Sequence, residues 1–137
     1  MTFPRHQNLT KGVIMGDCNA RVGKYQNMDI LEENIVDPCL LRDSKDCIVT
    51  NYGRTLMHML DCTNLIVLNG IKGFPLTNVL TCLPTSSGGS LVDYVLMKAY
   101  DLSNVMVNAF KIGSLSLDSN HKLVYLDITL SHSINKM

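Results

Sequence analysis

Asp17 and Asn19, two residues apart behind Val13-Ile14-Met15-Gly16, put a carboxylate and a carboxamide at the end of an apolar run. A carboxylate can hold a hard cation, and a carboxamide beside it can steady a phosphate or a water. The short apolar run over 11–15, closed by a turn signal, reads as a buried strand. Gly16 lets the chain turn tightly, which sets Asp17 and Asn19 at the strand's carboxyl end. Ligands and catalytic groups collect at that edge of α/β sheets. The same residues also suit an Asx-rich surface turn, and the motif alone leaves both readings open. Asp93 is a second chemical signal. In Leu91-Val92-Asp93-Tyr94-Val95-Leu96 it has apolar neighbours on both strand faces. Burying a carboxylate is costly, so it needs a hydrogen-bonding or charged partner. His121, just ahead of an apolar strand, is one candidate, because an Asp–His pair fixes the imidazole tautomer and favours the protonated ring. Backbone amides are the other.

The elements that must position these groups follow from periodicity. Residues 24–50 are polar and interrupted by Pro38, which predicts a long surface excursion whose acids (Asp29, Glu32, Glu33 and Asp37) are solvated. Asn51 suits an N-cap for a helix over 53–62, with Leu56, Met59, Leu60 and Thr63 as its buried stripe. A strand over 65–68 stops at Asn69-Gly70. Strands over 77–83 and 91–97 form an antiparallel hairpin around the 84–89 loop. Further strands are expected over 105–112 and 122–130. In the last, Val124, Leu126, Ile128 and Leu130 share one face, and Leu123, Tyr125, Asp127 and Thr129 the other. The expected class is α/β, with a sheet that is mostly antiparallel or mixed.

Bulk properties narrow the classes. The 137 residues suit one domain with a core of its own, and 46% hydrophobic against 18% charged residues exclude disorder. The formal net charge is zero, with no Lys/Arg cluster, so no basic footprint for nucleic acid is visible. The five cysteines (18, 39, 47, 62 and 82) are odd in number and lack Cys-x-x-Cys spacing. Without a charged-then-apolar signal at the start, reduced thiols and an intracellular setting are expected. No apolar stretch is long enough to span a bilayer. His6, His58 and His132 lack the spacing of a zinc site, and the scattered cysteines supply none. Gly88-Gly89 is a turn rather than a phosphate loop, because no Lys-Ser/Thr follows it.

Four segments in order carry a family resemblance: Gly16-Asp17-Cys18-Asn19-Ala20-Arg21-Val22-Gly23, Asn51-Tyr52-Gly53-Arg54-Thr55-Leu56, Ser90-Leu91-Val92-Asp93-Tyr94-Val95-Leu96, and Ser119-Asn120-His121-Lys122-Leu123-Val124. Together they resemble the endonuclease/exonuclease/phosphatase superfamily, and most nearly the endonuclease domains of LINE-type retrotransposons. Leu68-Asn69-Gly70 and Thr81-Cys82 fit as well. The resemblance covers roughly 10–130. The Asn-Tyr-Gly-Arg helix start and the Asp93 strand favour this branch over those acting on phosphoinositides, sphingomyelin or RNA tails.

The resemblance implies the C-terminal half of a four-layer α/β/β/α sandwich, as one partial domain over 1–137 with its core at about 10–131. The family's N-terminal half, with an early Asn and a metal-binding Glu, is expected to be missing. It implies a Mg²⁺-dependent phosphodiesterase nicking DNA in retrotransposition, in an intracellular setting that extends to the nucleus. Asp17 would orient or deprotonate the attacking water, and Asn19 would hydrogen-bond a phosphoryl oxygen. His121 would contact the same phosphate, steadied by Asp93. Asn120 stands where the family has a metal-completing Asp, which weakens the metal site; Asp118 is not promoted as its replacement. Cys18 replaces a Phe at a packing position. The expected activity is very weak or nil. The alternative is a non-catalytic, retroelement-derived remnant that acts as an interaction module. In either reading an uncovered inner sheet face favours self-association.

Overall fold

The computed structural model describes residues 12–27, 40–84, 88–102, 105–115 and 119–130. Its first strand, β1 (Val13–Asp17), is followed by the helix α1 (Asn51–Thr63) and the strand β2 (Leu65–Val67). A 3-10 turn at Pro75–Thr77, the strand β3 (Asp93–Lys98) and a short helix α2 (Ala99–Leu102) come next, before β4 (Val105–Leu115) and β5 (Lys122–Leu130). The strands form a three-stranded sheet in the order β1-β3-β2 and a two-stranded sheet of β4 and β5. Every pairing between them is antiparallel. The chain is thus mixed α/β with small antiparallel sheets, and no helix among the described residues is long and apolar enough to cross a membrane.

Alternation along β2 and β3 builds two cores. Leu65, Val67, Tyr94 and Leu96 face one way, onto Leu56 and Leu60 of α1 and onto Ala20 and Val22. Ile66, Val95 and Met97 face the other way, onto Val105 and Phe110 of β4, with Val124, Leu126 and Ile128 of β5 closing that side. A period of two in strands buried on both faces produces this arrangement directly. The expected face of β5 is the packed one, while Leu123, Tyr125, Asp127 and Thr129 are exposed.

Several expectations are corrected. The first strand begins and ends two residues later than expected, and it runs through Gly16 (φ +145°) instead of stopping there. It is an edge strand with Ile14 54% and Met15 44% exposed, so it is not buried. The helix starts earlier than expected and is capped by Thr50, whose hydroxyl accepts from the Gly53 amide at 3.1 Å. A Ser or Thr with extended backbone is as good a cap as Asn. Gly53, Leu56 and Leu60 are its buried residues, whereas Met59 and Thr63 are exposed. No continuous strand forms over 77–83. Pro75 favours the 3-10 turn, and that stretch contributes the isolated bridges Cys82↔Ser90 and Cys82↔His121.

The segment 40–50 is the largest correction. It is no loose excursion: Leu40, Arg42, Ser44 and Asp46 are each less than a tenth exposed. Arg42 donates from Nε to the Asn69 carbonyl at 2.7 Å and from Nη1 to the carbonyls of Gly23 and Tyr25 at 3.0 and 2.7 Å. Burial pulls the Arg42 guanidinium down to about 10. Polar residues here build core, which composition cannot reveal. The acids Asp29, Glu32, Glu33 and Asp37, the proline at 38, and Asp118 lie outside the described residues.

Candidate active site

The antiparallel register of β1 and β3 places Asp17 opposite Asp93 at one end of the sheet. His121 arrives from a separate element. Its segment is stitched to 81–83 by Leu83 N–H donating to the Asn120 carbonyl at 2.8 Å and Lys122 N–H donating to the Thr81 carbonyl at 2.7 Å. The imidazole then bridges the two acids. Nδ1 lies 2.8 Å from Asp93 Oδ2, and Nε2 lies 3.6 Å from Asp17 Oδ2. Because an ionised carboxylate only accepts, Nδ1 carries the proton and Nε2 is turned toward Asp17 and solvent.

Burial separates the roles of the two acids. The Asp93 side chain is 9% exposed, against 48% for Asp17. Asp93 is the fixed member, and its backbone is clamped. Asn69 donates to the Asp93 carbonyl at 3.1 Å and accepts from Val95 N–H at 2.9 Å. The Thr81 hydroxyl accepts from the Val92 and Asp93 amides at 3.2 and 3.1 Å. In sequence Asn69 reads as a turn signal, and Leu68-Asn69-Gly70 and Thr81-Cys82 support the resemblance, but neither Asn69 nor Thr81 is named as a site residue. One carboxamide ending a fully apolar strand is the signal that marks Asn69; beyond the Thr81-Cys82 match, no local pattern marks Thr81.

The loop after β1 is equally well tied. Asn19 sits in the left-handed region (φ 48°), and its amide donates to Asp17 Oδ1 at 2.8 Å. That Asx turn positions the Asp17 carboxylate, as the surface-turn reading of the motif expects. The Tyr94 hydroxyl accepts from Val22 N–H at 3.2 Å and lies 2.7 Å from the Leu91 carbonyl and 3.0 Å from that of Ala20. Burial pushes Tyr94 up to about 12, so it stays a neutral clamp. The Asn19 side chain is exposed and lines an open groove of about 420 Å³ with Cys18, Ala20, Tyr52, Thr55, Leu56 and Met59. Asn120 is exposed beside His121. The structure therefore brings Asp17, Asp93 and His121 together, with Asn19 and Asn120 flanking them in the chain.

The hydrogen bond to Asp93 raises the His121 pKa; partial burial opposes this, and the charges of Asp93 and Asp17 add to the rise. A raised value means that His121 stabilises the fold fully below its unfolded value near 6.5, with that contribution lost as pH climbs through the folded value. Asp93→Asn should return the His121 titration toward 6.5, read by NMR with His121→Gln for assignment. An unchanged midpoint would show that Asp93 does not hold the ring.

The carboxylates and the imidazole offer ligand atoms within 4.8 Å of one another. Two acids and a histidine suit divalent cations broadly and select no single metal. No protein-family model matches the chain, and neither a curated protein nor a solved structure matches it.

Proposed function

We propose that this chain is a phosphodiester-hydrolysing domain of the endonuclease/exonuclease/phosphatase type, of LINE-type retrotransposon descent. Its substrate is DNA, its setting is intracellular, and its activity in this form is very weak or nil. The observation that carries this reading is the imidazole of His121 held between Asp93 at 2.8 Å and Asp17 at 3.6 Å. Three acid–base groups far apart in sequence converge at one open sheet end, as a reacting phosphate requires. One helix packed on one sheet, as α1 packs on β2 and β3, is also what half of a four-layer sandwich would present, whereas β4 and β5 cover the face that such a half would leave open.

The residues fit Mg²⁺ in a limited way. Asp93 Oδ2 is engaged by His121, which leaves the exposed Asp17 as the carboxylate open to a cation. Mg²⁺ commonly takes one or two carboxylates and keeps its waters, so Asp17 would hold it, with the neutral Asn120 adding little. When bound, the ion would neutralise charge on the phosphate. The chain's own residues do the rest. Asp17 accepts a proton from a water and orients it, while the Asp93-anchored ring, in its protonated form, presents Nε2–H to a phosphate oxygen. Asn19 donates from its carboxamide to a second oxygen as charge builds there.

Supercoiled-plasmid nicking with Mg²⁺ and with chelator tests this reading. Residual nicking should be chelator-sensitive, fall about a hundredfold in Asp17→Ala, and rise in Asn120→Asp. Nicking that survives both chelator and Asp17→Ala would sink the assignment. Silence from the folded wild-type chain and from Asn120→Asp would favour the second reading, a non-catalytic interaction module. One observation speaks for that module: the edge strand β1 presents Ile14 and Met15 to solvent. An apolar edge that no strand pairs among the described residues is a template for association. Sedimentation of a clean monomer at high concentration would count against it.

A further inference from the structure

On α1, His58 and Cys62 stand one helical turn apart and both are exposed. The Cys62 sulfur lies 3.7 Å from His58 Nε2. A tetrahedral zinc ion with its usual bonds to sulfur and nitrogen would set those two atoms about 3.6 Å apart. The same separation is that of a thiol–imidazole hydrogen bond, and an ion taking the place of the shared proton would leave the distance between the two atoms nearly unchanged. We propose that His58 and Cys62 form an open two-residue chelate for one zinc-class divalent cation, with its two remaining positions left to water or an external donor.

A second observation favours a cation at this place. The pair lies in the C-terminal half of α1, whose last turn contains no basic residue. The negative end of the helix dipole therefore lacks the cationic side chain that commonly offsets it. The ligand set also selects the metal class. A thiolate and an imidazole disfavour Mg²⁺ and Ca²⁺ and suit Zn²⁺, Co²⁺ or Cd²⁺. Binding releases the Cys62 thiol proton to solvent, so affinity should rise with pH. In sequence His58 lacks the spacing of a zinc site and the scattered cysteines supply none; a chelate of one histidine and one cysteine on a helix face departs from that expectation.

Cobalt titration of the full chain provides the test, because thiolate ligation gives a near-ultraviolet charge-transfer band that carboxylates cannot. The expected result is a saturable band near one equivalent that Zn²⁺ abolishes. It should vanish in Cys62→Ser and shift to at least tenfold higher Co²⁺ concentration in His58→Ala. It should be unchanged in Cys18→Ser, Cys47→Ser and Asp17→Ala. Both chelating residues are exposed, so far-UV circular dichroism of the metal-free variants should match the wild type. No band in the wild type, a band that survives Cys62→Ser, or one indifferent to His58→Ala would each overturn the proposal.

Discussion

Gly53→Ala should destabilise the fold by about 3 kcal/mol, near the upper end for overpacking, although alanine favours helices. Intrinsic propensity alone would make the change stabilising by about 1 kcal/mol. Packing reverses the sign. A Cβ on Gly53 would run into the Arg21 carbonyl oxygen, which is backbone and cannot rotate away. That carbonyl also accepts from Thr50 N–H at 3.0 Å, and the Thr50 hydroxyl accepts from Arg21 N–H at 3.1 Å. Moving α1 away to relieve the clash would therefore break the junction between the helix start and the loop that carries Asp17 and Asn19. Urea unfolding of the wild type and the variant measures the difference. A neutral or stabilising alanine would mean that the helix does not sit against Arg21.

The second large effect is expected at Asp46, whose loss should cost about 3 kcal/mol, the low end for breaking a buried pair. Its carboxylate receives Arg21 Nε and Nη2 at 2.8 Å each, together with the amides of Leu91 at 2.9 Å and Ile48 at 3.1 Å. The side chain is 2% exposed, and that of Arg21 is 25% exposed. Burial by itself would raise the Asp46 pKa. The hydrogen bonds from Arg21, Leu91 and Ile48 outweigh it and hold the pKa below its ordinary 3.8. The sign follows from that direction. Asp46 stabilises the fold above the unfolded value, and the contribution fades as pH falls through the lower folded value. Asp46→Ala should lower the melting temperature by roughly 10 °C at neutral pH. The gap between variant and wild type should shrink in strong acid. A loss under about 1 kcal/mol would place the pair among ordinary surface bridges.

Asp46 also shows where sequence reading stops. It lies in a stretch whose composition is that of a solvated loop, and its main partners, Arg21 and Leu91, are 25 and 45 residues away. A buried polar knot leaves no local periodicity, because its members are selected by distant donors and not by their neighbours. Arg42 is the same case. Asp93 is the opposite case. An acid inside an apolar strand breaks the local pattern, and desolvation makes that break legible as a demand for a partner. The partner itself was only a candidate until the fold brought the 119–122 segment alongside 81–83. The helix was legible in its stripe but not at its ends, since Thr50 and Asn51 are both acceptable caps.

Local pattern, then, determined much by itself. Alternation in β3 and β5, the helical stripe of Leu56 and Leu60, and the acid–amide pair behind an apolar run all follow from short-range periodicity and side-chain chemistry. The descent from retrotransposon endonucleases is a proposal that rests on four sequence motifs in order. Tertiary structure decided what no local window contains. It put β1 at a solvent-exposed edge, buried Leu40, Arg42, Ser44 and Asp46 within 40–50, and set the His121 ring between Asp17 and Asp93. The physical reason is the same throughout. Local signals report what a residue tolerates, whereas burial, pairing and pKa depend on partners that only folding brings within hydrogen-bond reach.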